Sequence, residues 1–352
     1  MKGFGIIEPT VRVGWIEKEA PKAGLFEAVL EPVALCPCTS DVDTAMENPN
    51  IAPNRILGHE GVGRVVEVGA GVTDLQVGDV VAVPAVTPVW RNLDIQDGIH
   101  QHSGGLLGGR YLSSRWDGMF GEYFKVPDAD LNLAKIPEGV SLEAAALVGD
   151  MVTTGFHGAE LANVKYGDRV AVIGIGPVGL MSVAGAALRG AAEIFAVGSR
   201  PITRQLAKEF GADDTVDYRE APFAQQLMEL TGGRQFDCVI IAGGEPTVFN
   251  DALSICKYNG TVANLAGHGR TQTCLPIYTN ESLSFCAHKT VTGGLCPGGR
   301  RRLERLMGIC KSGRLRPEKL ITHDFRGFDS IESAFDLMAS KSRDIVKPII
   351  YV

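Results

Sequence analysis

The stretch Val170–Leu188 is 19 residues long and carries no charged side chain. A run of that length can cross a bilayer as a helix, so its internal punctuation decides what the chain can fold into. It begins as the β-branched run Val170-Ala-Val-Ile173 behind Arg169, breaks at Gly174-Ile175-Gly176-Pro177-Val178-Gly179, and ends in small residues before Arg189. That grouping reads as a strand, a turn and a buried helix. In this context a G-x-G-x-x-G turn has a physical meaning. Gly174 permits the tight turn, Gly176 lets a pyrophosphate approach the backbone, and Gly179 lets helix and strand pack closely. Pro177 and Val178 open the helix, whose free N–H groups and positive dipole end face the phosphates.

The same texture continues beyond this unit. Glu193–Gly198, Thr215–Asp217, Asp237–Ala242 and Gly260–Leu265 read as strands, and Arg204–Phe210, Gln225–Leu230 and Phe249–Cys256 as helices between them. Strands that are apolar on both faces and alternate with helices imply a parallel sheet covered on both sides. Residues 1–150 differ. Runs such as Glu27–Leu35, Gly63–Gly69 and Asp79–Pro84, broken by Gly, Pro and Asp, imply a mainly β region. The last 50 residues return to a mixed pattern, with helices expected over Arg302–Ser312 and Ser330–Met338 and a final strand over Val346–Val352. Thr87–Ser114 has little periodicity and is expected to be a functional or interface loop.

Composition bounds the function classes. A net charge of −7 argues against nucleic acid or an anionic membrane as partner. The first residues lack the pattern of a secretory peptide. Eight cysteines in so long a chain are not read as a disulfide framework, so a reducing cytoplasm is the expected location and most are expected to be buried apolar residues.

A second strand of an NAD site normally ends near an acid that takes the ribose hydroxyls. Here it ends Val197-Gly198-Ser199-Arg200, with no acid. Gly198 leaves room, Ser199 can donate a hydrogen bond, and Arg200 can pair with a phosphate, as the 2′-phosphate of NADP(H) requires. Tyr218 could pack against Arg200 or the adenine.

A second constellation is Cys36-Pro37-Cys38-Thr39-Ser40-Asp41 with Gly58-His59-Glu60-Gly61-Val62-Gly63. A catalytic zinc takes three N, S or O ligands and keeps one position open. Cys38 and His59 offer two, and the adjacent acids Asp41 and Glu60 could orient them or ligate directly. Asp150 lies where the first region gives way to the second, so a ligand there would set the metal within reach of a nicotinamide. Taken alone, one Cys and one His 21 residues apart read as a buried thiol and a core imidazole. His100 and His102 read as loop polar residues rather than a metal pair.

These segments, together with Phe120–Phe124, Asp150–Glu160, His100–Ser103 and Gly293–Gly299, resemble the zinc-dependent medium-chain alcohol dehydrogenases, and within them the tetrameric NADP-dependent bacterial secondary alcohol dehydrogenases. The resemblance runs through nearly the whole chain. It implies an α/β fold with a Rossmann dinucleotide-binding domain at 151–295 and a mainly β, GroES-like catalytic domain at 1–150, completed by 296–352. It implies an oxidoreductase interconverting secondary alcohols and ketones by zinc-assisted hydride transfer with NADP(H), assembled as a homotetramer. The implied zinc ligands are Cys38, His59 and Asp150, with Glu60 adjacent or exchanging, and the implied 2′-phosphate contacts are Gly198, Ser199, Arg200 and Tyr218. One catalytic zinc per subunit is expected. A structural zinc is not, because no Cys falls between 39 and 237. Ser40 would hydrogen-bond the substrate oxygen and begin proton exit, and Ala85, Val86, Arg110, Gly267, Leu295 and Cys296 would line the substrate pocket.

The chain departs from the family pattern at three of these positions. Asp43 stands where a His relays the proton, and a free carboxylate is less well matched to that task near neutrality. Arg110 replaces a Trp and Gly267 an aromatic, so bulk is lost and charge gained. Arg110 could pair with an anionic or hydroxylated substrate, pair with Asp43, or point into solvent. The chemistry could therefore serve a larger polar substrate such as a polyol, amino alcohol or hydroxy acid. A zinc-free nucleotide-binding or crystallin-like protein is the non-enzymatic alternative.

Overall fold

The computed structural model describes residues 1–268 and 288–352. Its chain divides into two compact units, Met1–Thr153 with Cys296–Val352, and Thr154–Leu295.

In the second unit the uncharged run resolves into the strand Arg169–Ile173 and the helix Pro177–Leu188. No helix among the described residues is long and apolar enough to cross a membrane. That strand lies inside a six-stranded parallel sheet in the order Asp214–Val216, Glu193–Val197, Arg169–Ile173, Phe236–Ile241, Cys256–Asn264, Thr290–Gly293. The first strand in sequence is central, and the order reverses between it and Phe236–Ile241. This is the doubly wound arrangement, whose ligand crevice opens at the carboxyl ends of the strands flanking that reversal. Ala171, Ile173, Val197, Val239, Ile241 and Val262 form its buried core.

The first unit is built around a seven-stranded sheet with Ile321–Arg326, Lys347–Tyr351, Ala28–Leu35, Gly61–Val68, Val80–Val83 and Ala134–Lys135 side by side, and Phe124–Val126 paired to Ala28–Leu35. The C-terminal strand thus joins the sheet begun near the N-terminus. Its pairing Ile350↔Leu35 and the pairing Leu35↔Gly61 set three strand ends next to one another. Lys2–Glu8, Arg12–Glu17 and Arg55–Ile56 make a smaller antiparallel sheet. Phe4 and Phe335 meet at 5.3 Å in the shared core. Thr87–Ser114 contains two short 3-10 turns, Leu93–Asp97 and His100–His102. Among the described cysteines all are free; Cys36, Cys38, Cys238, Cys256 and Cys296 are buried and Cys310 is half-buried, while Cys274 and Cys286 lie outside the described residues.

Candidate metal centre and nucleotide crevice

Three distant segments of the first unit supply the metal-site donors. The strand Ala28–Leu35 runs out into Cys36-Pro37-Cys38, and Cys38 caps the helix Thr39–Glu47. Asp41 in the first turn accepts the Cys38 backbone N–H at 3.1 Å, which closes that helix end. Gly58, at φ +93° with a Cβ site only 2.4 Å from the Phe120 ring, presents His59. Asp150 sits in a π-turn, Val148–Val152, of the kind that often marks functional positions in helices. Gly149 makes that turn possible, since a Cβ there would lie 2.2 Å from Val83 O.

One ligand atom each from Cys38, His59 and Asp150 lies within 4.8 Å of the others. Asp150 Oδ2 is 3.3 Å from His59 Nε2 and 3.7 Å from Cys38 Sγ. A tetrahedral zinc with ordinary bond lengths separates N from O ligands by about 3.4 Å and S from O by about 3.6 Å. Two of the three donor separations therefore already match the edges of a zinc tetrahedron, and the S, N, O chemistry of the set suits that ion.

His59 is held by its other nitrogen. Nδ1 donates to Asp41 Oδ1 at 3.0 Å, and the same oxygen accepts the Gly58 N–H at 3.1 Å. Burial would raise the Asp41 carboxyl, but the His59 charge and these hydrogen bonds hold it below the usual range. Burial would lower His59, but the Asp41 charge and hydrogen bonds to Asp150, Asp41 and Cys38 raise it well above its ordinary value. An imidazole fixed at Nδ1 by a carboxylate offers Nε2 to a metal in a defined direction.

The structure does not bring Glu60 into this group. Its Oε2 lies 2.5 Å from Lys347 Nζ, and both side chains are sealed from solvent. Lys347 is a residue that sequence reasoning missed; its only signal is a lone charge inside an apolar terminal strand. Ser40 Oγ is 3.1 Å from His59 Nε2. Asp43, half-buried, is one turn further along the same helix. His100 stacks on Trp90 and accepts the Gly298 N–H, and His102 accepts the Leu107 N–H, so each is engaged by neighbouring protein groups.

Of the expected pocket residues, Ala85, Val86 and Cys296 are buried, Leu295 is half-buried and Gly267 is exposed, with open space around its Cβ site. The backbones beside Arg110 and Cys296 approach Val86: Gly109 O accepts the Thr87 N–H, and a Cβ on Gly298 would lie 1.8 Å from Val86 O. The Arg110 guanidinium is half-buried and has no hydrogen-bond or ion-pair partner among the described residues.

The nucleotide crevice forms within the second unit. Gly174 turns at φ +88°, and a Cβ there would meet Gly243 at 2.7 Å, at the end of the strand across the reversal. Gly176 faces open space, with nothing within 4 Å of its Cβ site, next to the helix whose first residue is Pro177. A Cβ on Gly179 would lie 2.1 Å from Gly174 O and one on Gly198 2.2 Å from Ile175. Ser199 Oγ donates to Tyr218 Oη at 3.1 Å, and Arg200 caps the helix Pro201–Glu209. An acid does lie near, which the linear sequence hid: Asp217, at the end of the neighbouring strand. Its carboxylate is taken up by Arg219, which also donates to Ser199 O at 2.9 Å. The hydrogen bond from Arg219 is the main cause that holds Asp217 down to about 2. The edge beside Ser199 is thus polar, with the Arg219 charge matched by Asp217.

Comparison with known proteins agrees with this geometry. The family model "Alcohol dehydrogenase GroES-like domain" matches residues 25–138, and "Zinc-binding dehydrogenase" matches 177–311. NADP-dependent isopropanol dehydrogenases of Thermoanaerobacter brockii and Clostridium beijerinckii are 52% and 48% identical, each over 99% of both chains. A zinc-dependent alcohol dehydrogenase of Streptococcus pneumonia superposes with a TM-score of 0.88 at 30% identity, covering 100% of this chain and 98% of that one.

Proposed function

Taking as premise that the chain belongs to the zinc-dependent medium-chain alcohol dehydrogenases, we propose that it interconverts secondary alcohols and ketones with NADP(H) at Cys38, His59 and Asp150. The observation that carries this is the convergence of those three donors at zinc spacing. When bound, zinc supplies the Lewis acidity that eases loss of a hydroxyl proton and polarises a ketone, and NADP(H) takes or gives the hydride.

The protein's own groups do the rest. Asp41 fixes the His59 ring, and the π-turn sets Asp150. The Ser40 hydroxyl hydrogen-bonds the reacting oxygen and accepts its proton as it gives up its own, and Asp43, one turn on, passes the released proton outward. Gly174, Gly176, Pro177, Val178 and Gly179 cradle the pyrophosphate, and Gly198, Ser199, Arg200 and Tyr218 receive the 2′-phosphate, with Arg219 bracing Ser199. Each chain holds one zinc, and four copies assemble.

The test is direct. Metal analysis of protein purified without chelator is expected to give one zinc per chain. A small secondary alcohol with NADP⁺, followed by NADPH absorbance, is expected to turn over far faster than with NAD⁺ and to stop after treatment with a strong chelator. Zinc-loaded protein inert in both directions would overturn the reading.

The Arg110 guanidinium, without a partner among the described residues, favours a second reading, in which the same chemistry serves a larger polar or anionic hydroxyl substrate. Arg110→Ala then lowers kcat/KM for hydroxy acids and leaves simple alkanols unaffected. Unchanged values for both substrate classes remove that reading.

A further inference from the structure

Asp217 and Arg219 form an uneven ion pair beside the nucleotide crevice. The Asp217 side chain is 3% exposed and that of Arg219 51%. Arg219 donates its backbone N–H and its Nε–H to Oδ1, each at 3.0 Å, and an Nη2–H to Oδ2 at 2.5 Å. Nη2 also donates to Ser199 O at 2.9 Å. One residue therefore engages both carboxylate oxygens, in the two-pronged geometry that a guanidinium suits. Arg204 donates to Thr215 instead, at Oγ1 and O. Among the described residues, nothing besides Arg219 bonds the Asp217 carboxylate.

The sheet register gives this pair a meaning beyond the turn it closes. Val197 pairs with Val216, and the Gly198 N–H donates to Val216 O at 3.0 Å. Carrying that register one residue on sets Asp217 level with Gly198, next to Ser199. Tyr218, between the paired residues, bonds the Ser199 hydroxyl. The segment Asp217–Arg219 thus holds Ser199 at its hydroxyl and at its carbonyl. In a doubly wound fold an acid at this edge takes the ribose 2′-hydroxyl, and its charge opposes a 2′-phosphate. The strand Glu193–Val197 ends without such an acid, yet Asp217 brings the same charge to the same edge from the neighbouring strand. Glu220, the next residue after Arg219, adds no cation. Neutralising Asp217 therefore falls to Arg219.

We propose that Arg219 is a specificity-determining positioning residue for the cofactor: by occupying the Asp217 carboxylate it removes an acid from the ribose edge, so that the crevice prefers a 2′-phosphate to a 2′-hydroxyl. This rests on the NADP(H) reading above and deepens it, since Arg219 acts through Asp217 and not as a phosphate ligand. Calorimetric binding of two cofactor fragments, 2′,5′-ADP and 5′-AMP, tests it without turnover. Wild-type protein is expected to bind 2′,5′-ADP the more tightly. Arg219→Met frees the carboxylate and is expected to cut that preference by about 10-fold, through weaker 2′,5′-ADP binding. In the Asp217→Asn background the same Arg219→Met change is expected to alter the preference by less than about 2-fold. Arg219→Lys, which keeps a cation beside Asp217, is expected to retain most of the wild-type preference. Should Arg219→Met not fold, Arg219→Gln carries the same comparison. An equal loss of preference in both Asp217 backgrounds would make Arg219 a direct phosphate ligand. An equal weakening of both fragments would make it a brace for Ser199 alone. Either result, or no change at all, overturns the proposal and leaves the cofactor reading standing. Wild-type protein with no preference for 2′,5′-ADP overturns the NADP(H) reading, and the proposal with it.

Discussion

Asp41 does two things at once. It closes the first turn of Thr39–Glu47 by accepting the Cys38 N–H, and it fixes the His59 ring at Nδ1. A neutral amide could still accept at one oxygen but could not stabilise the imidazole as a carboxylate does. Asp41→Asn is therefore expected to weaken zinc retention against a chelator by about 10–100-fold, with the helix still formed by circular dichroism. Zinc retention equal to wild type would show that the contact is structural only. Asp217 carries a pH prediction. Its folded pKa is held at about 2 by Arg219, below the unfolded value of about 3.9. A carboxylate depressed on folding adds stability above the unfolded pKa, and that stability is lost as pH falls towards the folded value. Asp217→Asn is expected to unfold at lower urea than wild type at pH 7, and the gap to close between about pH 4 and about pH 2. A gap constant over that interval would rule out the linkage. The metal donors were legible in the sequence only through family resemblance, because Cys38, His59 and Asp150 are far apart in the chain. Asp41 was open to two readings there, and the absence of an acid after Val197 hid Asp217, which arrives beside Ser199 from the neighbouring strand.

The elements divide by how local their signals are. The strands and helices from Arg169 to Asn264 follow from runs of β-branched residues and turn glycines, and the expected parallel sheet is the one observed. The helix Thr39–Glu47 gave no such signal. Its start overlaps the Cys-Thr-Ser-Asp motif, and its mean hydropathy is near neutral. The π-turn Val148–Val152 was equally invisible, because an extra residue in a helical turn leaves no periodic mark in so apolar a stretch. Its cause is tertiary: the Gly149 backbone lies against Val83, and Gly149 O accepts the Ala85 N–H at 3.0 Å. Gly149→Ala forces a methyl group against a backbone oxygen, an overpacking expected to cost about 1–3 kcal/mol. Because Asp150 follows directly, zinc occupancy should fall in the same variant. Loss of stability with full zinc occupancy would mean that the turn does not position the ligand.

At the scale of the whole molecule, the segment from Thr87 to Ser114 is the part whose role the fold of one chain leaves open. It has its own internal order, with Asn92 capping Leu93–Asp97 and Arg115 donating to Gly104 O. Yet it exposes Leu93 at 78%, Ile99 at 52% and Leu106 at 86%. Single exposed apolar residues are ordinary on protein surfaces, whereas several on one ordered segment point to a surface that another chain covers. Buried apolar area at such a contact stabilises association at about 25 cal/mol per Å² before the cost of lost freedom. Introducing a charge at each of two leucines should therefore act on assembly and spare the subunit, because neither side chain contributes to its core. The Leu93→Glu, Leu106→Glu double variant is expected to keep its zinc and its melting transition and to sediment as a smaller species than wild type, which should itself run at four chain masses. A wild-type monomer would dispose of the tetramer, and a double variant of unaltered mass would move the interface elsewhere on the surface.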